Sequence, residues 1–96
     1  GMGTQGAGDY KLGNRSATSR PRPGYDCEDE GRVVVKVYVD RNGNVVSAEP
    51  GAGGSTTSST CLFDRARQAA MRTKWAADPN ALETQVGTII YRFEKN

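Results

Sequence analysis

A chain of 96 residues, 35% of them hydrophobic, has room for one domain with a small core and excludes a multi-domain architecture. A formal net charge of +2 is too slight to argue for nucleic acid or an acidic membrane as partner. No apolar run approaches the roughly 18 residues of a membrane span, and no signal peptide opens the chain.

Gly1 ahead of Met2 has the form of a cleavage scar, as in an excised fragment, so the absence of an anchor or export signal here says little about the natural protein. From Gly1 to Arg20 the sequence is rich in Gly, Ser and Thr with almost no periodic apolar residues, and it reads as a flexible tail that cannot offset its own ordering entropy. Pro21 and Pro23 favour extended backbone leading onto the domain, with Tyr25 as a first anchor. The predicted boundaries are a tail or linker over 1–24 and a folded domain over 25–96. Asp26, Glu28, Asp29 and Glu30 form an acidic run around Cys27; such a run can attract a hard cation but is far more often a solvated entry to a strand.

Gly31 to Ala48 carries the strongest local signal, a β-hairpin. Val33, Val35, Val37 and Val39 fall on one face of a strand and Arg32, Val34, Lys36, Tyr38 and Asp40 on the other, with Asn42-Gly43 as the turn. Asp40, Asn42 and Asn44 match the opening of a calcium loop, but Val45 stands where that loop needs Gly and Gly51 where it needs Glu. Register decides the inner residue of the returning strand. A two-residue loop pairs Val39 with Val46 and Val37 with Ala48, whereas a three-residue loop with Gly43 in a bulge turns Val45 inward; the expectation is Val46. Glu49 to Thr60 reads as a flexible connection that ends in several possible helix caps, and its glycines are poorly placed for a phosphate-binding loop.

Cys61 to Trp75 is predicted helical, with Leu62, Ala66, Ala69 and Thr73 on the buried stripe and Ala70 and Phe63 at its edge. Asp64 is expected in the first turn, and the indole of Trp75 is expected to fold back onto the core. The basic residues Arg65, Arg67, Arg72 and Lys74 are spread around the helix as an ordinary solvated surface. Finally, Ile89, Tyr91 and Phe93 alternate with Thr88, Ile90 and Arg92 in a last strand. The expected fold is α+β: a three-stranded antiparallel sheet in β-β-α-β order, spatially 2-1-3, with the helix across one face and the last strand left as an edge.

RPRPGY, GRVVVKVYVDRNGNVVSA, CLFDRARQAAMRTKW and QVGTIIYRF, in that order and spacing, resemble the C-terminal domain of TonB energy transducers, in the shorter variety with one Cys before the first strand and another at the helix start. The resemblance covers about Arg20 to Phe93. It implies a periplasmic domain, tethered to the inner membrane and its energising complex through an upstream anchor. Such a domain binds the TonB box of outer-membrane receptors and drives uptake of iron chelates, cobalamin or similar nutrients. It also implies that the edge of the last strand accepts the peptide, with Thr88, Ile90, Arg92 and Glu94 as partner-binding residues and the backbone doing most of the holding. The even cysteine count and the implied export predict a Cys27–Cys61 disulfide. The chain has no histidine and no evident acid pair or activated nucleophile, so neither catalytic residues, cofactor nor metal is expected. A periplasmic interaction or sensor domain of the same fold is the alternative, and exposed edges also allow an edge-paired homodimer.

Overall fold

The structure, a computed structural model, describes residues 9–95. Its centre is the valine strand: β3 (Gly31–Asp40) keeps Val33, Val35, Val37 and Val39 at 0% exposure, as the alternation demands. It pairs antiparallel with β4 (Val45–Pro50) on one side and, over its whole length, with β6 (Thr84–Phe93) on the other. The helix α1 (Thr60–Arg72) lies across the valine face and buries Leu62, Ala66, Ala69 and Ala70, small residues that let it approach the sheet closely. Ile89, Tyr91 and Phe93 of β6 complete this core.

The sheet has four strands rather than three. β1 (Tyr10–Lys11) adds to the outer side of β6, giving the order β1-β6-β3-β4. A second, two-stranded sheet joins β2 (Ala17–Ser19) to β5 (Lys74–Trp75) just past the helix. β1 and β2 come from the stretch expected to be a tail, which from Asp9 onward is part of the fold, and β5 from the end of the expected helix; residues 1–8 lie outside the described residues. The cause is burial. Tyr10 and Leu12 are 7% and 1% exposed, so a short aromatic-x-leucine pair supplies the apolar area that the surrounding glycines and serines lack. Arg15 then locks the turn after β1: its guanidinium donates to the Ala76 carbonyl at 3.0 Å, the Gln85 side-chain oxygen at 3.1 Å and the Asp40 carbonyl at 2.8 Å.

The hairpin register also departs from expectation. Gly43 donates to the Asp40 carbonyl and Asp40 to that of Asn44, closing a three-residue loop with Gly43 at φ 91°. Val39 therefore faces Val45, and a bulge at Val46 restores the pairing of Tyr38 with Ser47 and Val37 with Ala48. Val45 is 8% exposed and Val46 54%, the reverse of the two-residue reading, while Ala48 is buried.

The stretch after Pro50 is tied down rather than free. Ala52 donates to the Val34 carbonyl and Thr56 to that of Arg32, while the Ser55 and Thr56 hydroxyls accept from the amides of Val34 and Arg32. Hydroxyls thus stand in for the carbonyls of a pairing strand, and Val34 is buried on the open face. The helix begins at Thr60, capped by Ser59, whose side-chain oxygen accepts from the Leu62 amide. Asp64 consequently lies beyond the first turn. The helix stops at Arg72 because the Thr73 hydroxyl donates back to the Ala69 carbonyl and the chain turns extended, which carries Trp75 into the core at 3% exposure. Cys27 and Cys61 are joined in a disulfide that ties the entry to β3 to the start of α1.

Candidate functional site

Among the described residues the main sheet leaves two runs of main-chain groups without a strand partner, the outer side of β4 and, beyond the reach of β1, the outer side of β6, whose inner side β3 satisfies. β1 takes part of that edge: Tyr10 faces Ile89 and Lys11 faces Thr88. Among the described residues, no strand pairs with Ile90 to Phe93 on that side. The stretch of β6 left without a described strand partner is thus shorter than the expected run from Thr88 to Glu94. Thr88 is covered by β1, and Glu94 lies just past the strand end.

Ile90 and Arg92 sit on the sheet face opposite the helix, Ile90 half-buried and Arg92 exposed. Arg92 is already engaged. Its guanidinium forms an ion pair with Asp9, whose side chain is only 11% exposed. Arg32 stands directly across the ladder from Arg92 and donates to the Gly54 carbonyl at 2.8 Å. Two guanidiniums side by side repel one another, and the Asp9 carboxylate relieves that repulsion. Asp9 is a residue that sequence reasoning missed. Nothing in a glycine-rich stretch marks one aspartate as the counter-ion of an arginine 83 positions away.

β1 is seated by side chains more than by backbone. The Tyr10 ring packs against Trp75 with centroids 6.1 Å apart, and the Arg20 guanidinium lies 5.1 Å from its centre on a cation–π contact. Burial pushes the Tyr10 phenol above its usual pKa, and the charge on Arg20 pulls it partway back. Gly87 makes room for this strand: a Cβ there would overlap the Lys11 carbonyl oxygen and stand 2.8 Å from Leu12 Cδ1. An open groove of about 720 Å³ runs over the same sheet face, floored by Val34, Lys36 and Val86 and walled by Lys11 and the turn at Pro50. Among the described residues neither lysine has an ion-pair partner, although Lys36 lies over the Tyr38 ring.

The acidic run ahead of β3 is used structurally. Arg65 binds Asp26 at 2.8 Å and holds its carboxyl below the usual carboxylate range, and Asp29 accepts from the Ser59 hydroxyl at the helix cap. Asp26 lies beside Cys27 and Cys61, whose sulfurs are committed to each other. No described helix is long and apolar enough to cross a membrane. No protein-family model matches the chain, and no curated protein or solved structure is found to be similar to it.

Proposed function

We propose that the chain is a TonB-like periplasmic domain that receives the TonB box of outer-membrane receptors as an added β-strand, and that the full-length protein passes inner-membrane energy to nutrient uptake. The observation that carries this reading is the run Ile90 to Phe93, an extended edge paired on one side by β3 and unpaired by any described strand on the other. Such an edge gives affinity through main-chain hydrogen bonds, while Ile90 and Arg92 read alternate side chains of the incoming peptide. The Cys27–Cys61 bridge is compatible with an oxidising compartment such as the periplasm. Binding rather than catalysis is the activity proposed, with no cofactor or metal.

The test is a titration of the isotopically labelled domain with synthetic receptor TonB-box peptides, following amide shifts. Shifts centred on Ile90 to Phe93 are expected. Shifts confined to α1, or no shift at millimolar peptide, would remove the edge mechanism and leave an interaction or sensor domain of another kind.

A further inference from the structure

We infer that β1 is a resident, replaceable occupant of the β6 edge, and that the partner peptide shares its pattern of carboxylate, aromatic, any residue, aliphatic, running antiparallel to β6. This rests on the strand-addition reading above and adds to it the partner's sequence pattern and an internal competitor.

The seat is defined by four residues in a row. Asp9 neutralises Arg92 beside Arg32, Tyr10 fills the space against Trp75, Lys11 points to solvent, and Leu12 is sealed in the core. Its main-chain hold is short. β1 contributes two residues to the ladder, against ten for the β3–β6 pairing, so it can leave without breaking the sheet. A natural stop for that departure lies just behind it. Gly13 has φ 57°, and Arg15, fixed by its three hydrogen bonds, holds the chain where β1 would swing away. Since the shape and charge of the seat fit Asp-Tyr-x-Leu, a peptide that displaces β1 gains most by offering the same groups in the same direction. One that adds only to Ile90–Phe93 forgoes the Trp75 contact and the Leu12 pocket. The resident strand lowers the apparent affinity of any such peptide by the fraction of molecules in which it is docked.

The experiment uses a fluorescent peptide with the sequence of residues 9–15 as probe and measures its anisotropy on the full chain. Tyr10→Ala weakens the resident strand but not the incoming one, so the probe should bind this variant about tenfold or more tightly than the wild-type chain. Asp9→Asn, which removes only the ion pair to Arg92, should shift affinity in the same direction by less and serves if Tyr10→Ala unfolds. Gly87→Ala places a methyl group on the path of either strand and should abolish probe binding. Equal affinity for the wild-type and both β1 variants, or binding undiminished by Gly87→Ala, would overturn the inference. The two readings fail separately. If TonB-box peptides do not bind but the probe exchanges as described, the proposed partner falls and the seat stands. If TonB-box peptides shift Ile90–Phe93 with an affinity indifferent to Tyr10→Ala and Asp9→Asn, the inference falls and the edge reading stands.

Discussion

Gly43 and Trp75 meet backbone to backbone: the Trp75 amide donates to the Gly43 carbonyl at 2.9 Å, and a Cβ on Gly43 would overlap the Trp75 carbonyl oxygen. The hairpin turn is therefore also the dock for the segment that leaves α1. Gly43→Ala meets two obstacles, a φ of 91° and this overlap, and is expected to destabilise the domain by about 3 kcal/mol or more. Urea denaturation checks it; a loss under about 1 kcal/mol would mean that the turn and Trp75 separate easily.

Reducing the Cys27–Cys61 bridge, which spans 34 positions, should lower stability by ~3 to 4 kcal/mol in the chain-entropy account. The paired Cys27→Ser, Cys61→Ser variant should behave like the reduced protein in denaturant. An unchanged midpoint with and without reductant would show that the bridge constrains little.

The bulge in β4 makes neighbouring valines unequal. Val45→Ala, in the core, should cost about 1–3 kcal/mol, while Val46→Thr on the surface should stay within roughly 0.5 kcal/mol of wild type. Similar losses for the two would contradict the three-residue loop.

Tyr91 is fully buried, and burial pushes its phenol pKa far above the usual 10.0. Below pH 10 both folded and unfolded chains keep this proton and stability is unaffected. As pH rises above 10, the unfolded chain loses the proton while the folded chain retains it, so stability falls. Tyr91→Phe should flatten this alkaline loss in denaturation curves between pH 8 and 11, with the raised Tyr10 phenol leaving a smaller residue of it. At pH 8 the substitution should stay within about 1 kcal/mol of wild type, because the buried Tyr91 hydroxyl has no partner in strict hydrogen-bond geometry among the described residues and has the Thr73 and Tyr10 hydroxyls as its polar neighbours. A large loss at pH 8 would reveal a hydrogen bond to that hydroxyl.

Elements with repeated local signals were legible from the residues alone. Four alternating valines fix a strand with one buried face wherever it is placed, and the Leu62, Ala66, Ala69 spacing fixes one helical stripe, because pleat and helix periods are properties of the backbone alone. The Cys27–Cys61 pairing was legible too, from an even cysteine count and the export that the resemblance implies. The remaining features depend on single residues with long-range partners. Asn-Gly suits both hairpin loops, and the three-residue one is the loop whose Gly43 carbonyl meets the Trp75 amide. Tyr10 and Leu12 are too few to outweigh the glycines and serines around them in any local window, yet each fills a space that β6, Gly87 and Trp75 create together. The edge of the last strand is covered at Thr88 and Ile89 for the same reason: whether a strand stays free depends on which distant segment can bury more apolar surface by lying against it than by remaining in water.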